Sequence, residues 1–194
     1  DMVSMACREA TGEVPGPVYL EVPRDILDKS VEFKSCTIPA AGHYRCSPKV
    51  MCAPEEIEKL ADLLIHAEKP AVLFGSQVWN SRSHVEAAEM VKAFDIPAYT
   101  NGSARGILKS DNPHSFDRTR SMALASADVI LVVGTPFDFR LGYGKQLNPE
   151  ARVAQIDQNY VEIGKNRDIE LGLLGHAGTI FNAVIQSASG RVEK

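Results

Sequence analysis

The chain has no apolar run approaching the roughly 20 residues that cross a bilayer. Its longest, around Val129 to Gly134, is far shorter, so no membrane segment is expected. Cysteine is scarce: Cys7, Cys36, Cys46 and Cys52 form no CxxC pair, and none has a histidine at zinc-finger spacing. That pattern excludes a zinc module and a disulfide scaffold and reads as reduced thiols in a cytoplasmic protein. Positive charge is not in excess either, with 21 Lys and Arg against 25 Asp and Glu. A net charge of −4 offers no field to attract nucleic acid or an anionic lipid surface.

Several catalytic signatures are absent as well. The histidines, His43, His66, His84, His114 and His176, make no HExxH arrangement, and there is no GxSxG elbow. The stretch Gly142-Tyr143-Gly144-Lys145-Gln146 has the look of a phosphate loop but lacks the Walker spacing and the Ser or Thr after Lys. The GxGxxG fingerprint of dinucleotide binding is missing. No internal repeat and no low-complexity tract occurs.

What remains is ordinary globular composition. Of the 194 residues, 44% are apolar and 24% charged, which at about 150 residues per domain fits one complete domain and a fragment of another. The chain opens at Asp1 without an initiator methionine, inside what reads as a helix ending near Ala10, so a piece of something longer is expected. Val18, Leu20 and Val22 alternate with Tyr19 and Glu21, the period of a short strand closed by Pro23. From Leu27 to about Lys49 no period is sustained, and Pro39, Gly42 and Pro48 interrupt it, as in a linker.

Helices and strands then alternate. Pro54 suits a first helical position, and Ile57, Leu60, Ala61 and Leu64 follow a helical stripe that Pro70 ends. Ala71 to Phe74 reads as a strand buried on both faces. A second stripe, Ala87, Met90, Val91 and Phe94, leads to a strand at Ala98 to Thr100. A helix from Arg118 to Ala127 precedes the strongest strand, Val129 to Val133, and further strands are expected at Val153 to Ile156 and Glu170 to Leu173. A last helix buries Ala177, Ile180, Phe181 and Val184. The alternation predicts an α/β fold: a doubly wound parallel sheet in three α/β/α layers, Rossmann-like, of the DHS-like NAD/FAD-binding domain type.

In such sheets ligands sit beyond the carboxyl ends of the strands, which directs attention to three corners. The first is Gly75-Ser76-Gln77, the second runs from Gly134 through Phe137 and Asp138 to Arg140, and the third is Asp157-Gln158-Asn159. Gly75 and Gly134 let a backbone approach a phosphate, or simply make tight strand-to-loop turns. Asp157 follows Gly134 by about 20 residues, the offset of a ribose-binding carboxylate, and is equally readable as a cap. Arg140 can fork onto a phosphate with Asp138 holding it, or lie solvated. Gly175-His176 opens the last helix, where His176 can face the crevice or serve as a first-turn polar residue. Trp79 and Arg105 lie in loops near strand ends, with surface or interdomain packing as the plain account.

These residues also carry a family resemblance. GPVYLEVPRDIL resembles the closing strand of the pyrimidine-binding domain of thiamine diphosphate enzymes, while KPAVLFGSQ, DVILVVGTPFDFRLGYGK and ARVAQIDQNYVEIGKN are similar to successive strand ends of their central domain. The pattern is nearest that of acetolactate-synthase-like enzymes. The resemblance implies a tail of the pyrimidine-binding domain over residues 1–29, a linker over 30–50, the central Rossmann-like domain over 51–189 and the start of the next linker over 190–194. It also implies a parent enzyme, a transferase or lyase, that uses thiamine diphosphate and magnesium on 2-oxo acids. The activating glutamate and the magnesium motif of the family lie in the pyrimidine- and pyrophosphate-binding domains, outside these residues. This chain alone is therefore expected to be catalytically silent, and the full-length parent to be a homo-oligomer, dimer or tetramer.

By the same resemblance the central domain has a crevice for FAD or ADP, formed here by Gly75, Ser76, Gln77, Gly134, Phe137, Asp138, Arg140, Asp157, Gln158, Gly175 and His176. Three departures from the FAD-binding pattern stand out: Gly75-Ser76-Gln77 replaces a glycine triplet, a Gly-Met-His-Gly loop has no counterpart before Ser121, and Gly-Asp becomes Gly175-His176. The alternative reading is a freestanding nucleotide-binding or subunit-interaction module without catalysis. A sirtuin-type deacylase would need paired cysteines and a catalytic histidine loop, and has neither.

Overall fold

The computed structural model describes residues 2–38, 40, 42 and 48–192. Asp1, Pro39, His43, Cys46 and the last two residues of the expected second linker lie outside the described residues. Two compact units divide the chain, Asp1–Pro48 and Lys49–Lys194.

The first unit holds helix α1 (Met2–Ala10), the single turn α2 (Arg24–Leu27) and a 3-10 turn at Phe33–Ser35. The alternation at Val18 to Val22 does not become a strand: the segment has no regular secondary structure and no ladder bonds, and Tyr19 is exposed. Period-2 patterning yields a strand only where a neighbour supplies the partner N–H and C=O groups, and among the described residues none pairs with it.

The second unit is a five-stranded, all-parallel sheet. It comprises β1 (Pro70–Phe74), β2 (Ala98–Thr100), β3 (Val129–Val133), β4 (Arg152–Asp157) and β5 (Leu171–Leu174), in the order β2-β1-β3-β4-β5. Helices α3 (Pro54–Ile65), α5 (His84–Phe94) and α7 (Ala177–Ala188) cover one face. Beneath them Leu60, Leu64, Met90, Val91, Ile180 and Phe181 pack on Val72, Phe74, Leu131, Val133 and Ile156, with the Phe74 and Phe181 rings edge to face at 5.9 Å. On the other face Leu73, Ile130, Val132 and Val153 meet Leu124 of α6 (Arg120–Ser126) together with Phe137, Leu141 and Leu147. Alternate residues of β1 and β3 thus serve opposite cores, which is why both strands read as unbroken apolar runs. The expected Rossmann-like three-layer fold is what forms.

Local chemistry explains the element ends. Pro54 takes the first position of α3 and the Glu56 carboxylate reaches back to accept from the Ala53 N–H at 3.2 Å, as in the return half of a capping box. The helix expected from Arg118 begins instead as a 3-10 turn at Asp117–Thr119, becoming α-helical only at Arg120. Asp117 is drawn away from helix capping because its carboxylate accepts both the N–H and the hydroxyl of Thr100, at 2.6 and 2.7 Å. Among the described residues no helix is long and apolar enough to cross a membrane.

Candidate functional site at the strand ends

The register fixes where the three corners fall. Phe74 is level with Val133 and Val133 with Ile156, so the next residues along, Gly75, Gly134 and Asp157, stand side by side on one rim. The strand order reverses direction between β1 and β3, and that is where a doubly wound sheet opens its ligand crevice. The rim is therefore where such a sheet would hold a ligand.

The two glycines are required by packing. A Cβ on Gly75 would lie 2.4 Å from the Gly134 carbonyl oxygen and 2.3 Å from the Thr135 Cβ. Gly134 adopts φ +61°, and a Cβ there would lie 2.4 Å from the Cβ of Gln77. The backbone ties the same pieces together, since the Gly75 N–H donates to Val133 and the Gln77 N–H to Gly134. Both glycines face protein, and the tight-turn reading accounts for each of them.

Directly after Gly75 the chain enters a short helix, α4 (Ser76–Asn80), which periodicity did not reveal because five residues are too few to show a stripe. It places Ser76 and Gln77 on the rim. The Ser76 hydroxyl accepts the Ser103 N–H at 3.1 Å. The Gln77 amide donates from Nε2 to Asp157 Oδ1 at 2.6 Å and accepts the Gln158 N–H on Oε1 at 3.0 Å.

Asp157 is almost wholly buried, 1% exposed. Its Oδ1 also accepts the Asn159 N–H at 2.7 Å, while Oδ2 is buried without a hydrogen-bond partner among the described residues. Burial pushes its carboxyl above the usual carboxylate range, with the nearby Glu162 charge adding to the rise, against the lowering by its hydrogen bonds.

Asp138 and Arg140 form a forked pair. Arg140 Nη2 donates to Asp138 Oδ2 at 2.5 Å and Nε reaches the same carboxylate, which also accepts the Arg140 N–H at 2.9 Å. The hydrogen bonds from Arg140 hold the Asp138 carboxyl below its ordinary value, and those same bonds raise the guanidinium. The guanidinium also lies 5.7 Å from the Phe139 ring centre. Phe137 points the other way: it is 1% exposed and belongs to the second core.

Gly175 and His176 sit at the entrance to α7. The His176 N–H donates to the Val50 carbonyl, and a Cβ on Gly175 would lie 2.7 Å from that same oxygen. The His176 ring bridges two elements, Nε2 to the Ser81 carbonyl at 3.2 Å and Nδ1 to the Thr179 N–H at 3.4 Å. A carbonyl only accepts, so this geometry needs the Nε2–H tautomer. His176 thereby caps the helix and faces α4.

Two further rim residues carry no motif: Thr135 lies inside the second corner with no role assigned from sequence, and Asn101 escaped sequence reasoning as part of this site. Thr135 and Asn101 are buried beside the glycines, with Asn101 Nδ2 donating to the Thr135 hydroxyl at 3.4 Å. The signal available was only their position, Asn101 one residue past β2 and Thr135 two past β3.

As these side chains stand they do not fit a nucleotide. The carboxylate that would take a ribose is closed over by Gln77 and the glycines have no open side. Nor do they fit a metal centre, since among the described residues no three His, Cys, Asp or Glu side chains stand together to hold one.

Comparison with known proteins places this architecture. The chain is 29% identical over 184 residues to oxalyl-CoA decarboxylase of Escherichia coli, covering 94% of this chain and 33% of that protein. It is 33% identical over 186 residues to an acetolactate synthase large subunit of Mycobacterium tuberculosis, covering 96% and 34%. It is 26% identical over 223 residues to human 2-hydroxyacyl-CoA lyase 2, covering 96% and 35%. The chain thus spans about a third of the length of the curated relatives it matches. The profile described as thiamine pyrophosphate enzyme, central domain, matches residues 57–184, from the first core turn of α3 to the last buried valine of α7. With that span and this parallel sheet, the chain belongs to the family of thiamine pyrophosphate enzyme central domains.

Proposed function

We propose that this chain serves as the central, scaffolding domain of an acetolactate-synthase-like enzyme dependent on thiamine diphosphate and magnesium, a lyase or carboligase acting on 2-oxo acids. The observation that carries the reading is the family match across most of the second unit, together with relatives about three times as long whose names are those of a decarboxylase, a synthase and a lyase. In this reading residues 1–29 are the tail of the pyrimidine-binding domain, 30–50 the linker and 51–189 the central domain, followed by the next linker. The boundary between the two compact units, at Pro48 and Lys49, supports that division.

Thiamine diphosphate, when bound, supplies the electron sink for breaking or forming a carbon–carbon bond. No residue of this chain is assigned to that step. The contribution of these residues is mechanical: a sheet with two cores, a rim closed by its own side chains, and partners in the pyrimidine- and pyrophosphate-binding domains of a homo-oligomeric parent. FAD or ADP in the rim crevice would need the side chains there to move.

The test is turnover of pyruvate with thiamine diphosphate and Mg²⁺, followed as released CO₂ and as acetolactate. The longer polypeptide that contains this sequence is expected to be active and the 194-residue chain to be inert. Cofactor-dependent turnover by the chain alone, or none on any 2-oxo acid by the longer polypeptide, overturns the reading.

A further inference from the structure

We propose that Gln77 is a built-in ligand of the rim crevice, standing where a vicinal diol would bind and closing the crevice to nucleotides. This rests on the scaffold reading of that crevice and goes beyond it by naming the residue that keeps the nucleotide out.

The geometry carries the proposal. A ribose diol on a strand-end carboxylate donates a hydroxyl proton to it, and a hydroxyl oxygen can also accept from an N–H beside it. The Gln77 carboxamide does both at once, donating to Asp157 Oδ1 at 2.6 Å and accepting the Gln158 N–H at 3.0 Å. The space is taken by the same residue, because the face that Gly134 leaves open for want of a side chain is filled by the Cβ and Cγ of Gln77. What Gln77 leaves unmatched is the second carboxylate oxygen, Asp157 Oδ2, buried and without a partner among the described residues. Removing the side chain would therefore free the Gln158 N–H and take one of two donors from Oδ1, leaving it the Asn159 N–H, next to an oxygen that already lacks a donor. The backbone there has an independent anchor, the bond from the Gln77 N–H to the Gly134 carbonyl at 3.2 Å, so truncation at Cβ need not move α4.

The experiment is calorimetric titration of the 194-residue chain, wild type, Gln77→Ala and Gln77→Ser, with ADP, FAD and 2′,3′-dideoxy-ADP. Circular dichroism checks each variant for folding, and Gln77→Ser is a second truncation in case the alanine variant does not fold. Wild type is expected to show no saturation into the millimolar range. Both variants are expected to bind ADP at least about tenfold more tightly, a free-energy change of about 1.4 kcal/mol, and to lose the gain with the dideoxy compound. If neither wild type nor variants bind, or if the dideoxy compound gains equally, Gln77 is not a stand-in for a diol and the proposal fails while the scaffold reading survives. Tight binding of ADP or FAD by wild type overturns both.

Discussion

The hydroxyl of Ser83 accepts the N–H of Gly178 at 2.9 Å, so the residue that precedes α5 caps the amino end of α7. Ser83 makes no hydroxyl bond to its own helix and is fully buried. The two helices can approach this closely because Gly178 has no side chain: a Cβ there would lie 2.9 Å from the Ser83 hydroxyl and 3.2 Å from Glu86 Cδ. Ser83→Ala strands a buried N–H and is expected to destabilise the fold by about 1–3 kcal/mol. A urea midpoint equal to wild type would show that the contact contributes nothing.

Gly75→Ala tests the crowding between β1 and β3. The conflict is with the Gly134 carbonyl, which is backbone and cannot swing away, and φ at Gly75 is an ordinary −112°, so space alone is at issue. A loss of about 1–3 kcal/mol or more is expected from overpacking. Gly16→Ala is the control, because nothing lies within 4 Å of its would-be Cβ. Thermal melts of the two variants should separate clearly, and coincident curves would refute the packing argument.

Asp128 gives the fold an acid limit. Its carboxylate accepts the N–H groups of Glu68 and Lys69 at 2.7 and 2.9 Å, pinning the turn between α3 and β1 to the start of β3. Partial burial pushes this carboxyl up, but the backbone N–H donors outweigh it and hold the carboxyl below its ordinary value. A folded pKa below the unfolded one means stability that is complete above the unfolded value, near 4, and lost as pH falls through the folded value. Asp128→Asn should cost about 1–2 kcal/mol at pH 7, with the difference from wild type shrinking as pH drops below about 4. Chemical denaturation across that range checks it. A gap that stays constant with pH would rule the carboxylate out.

Cys52 should be a slow thiol. Burial, with the Glu56 charge adding to it, pushes its pKa up to about 11. Against an ordinary free cysteine near 8.5, the thiolate fraction at pH 8 falls on the order of a hundredfold. Iodoacetamide labelling followed by peptide mass mapping should find Cys52 labelled correspondingly more slowly than a cysteine peptide standard. Labelling at the standard's rate would contradict this environment.

Much of the second unit was legible because its signals are local. Pro54 with the stripe Ile57, Leu60, Ala61 and Leu64 specifies α3 without help, and the apolar run of β3 admits only a strand buried on both faces. The pattern at Val18 to Val22 was equally clear and yet forms no strand, because a ladder needs a partner and no pattern within one segment contains it. The site was legible in part. Gly75, Gly134 and Asp157 do meet on one rim, but the sequence left Asp157 open between a ribose acceptor and a cap.

Residue order alone therefore determined the layers of this protein, since the periods 2 and 3.6 of buried side chains depend only on neighbours along the chain. It also determined that three chosen corners would share an edge, because parallel strands begin and end together. Only the tertiary structure decided what those corners do to one another. Gln77 meets Asp157 from 80 positions away, and Ser83 meets Gly178 from 95. A hydrogen bond across such distances exists only once packing has brought its donor and acceptor within about 3 Å.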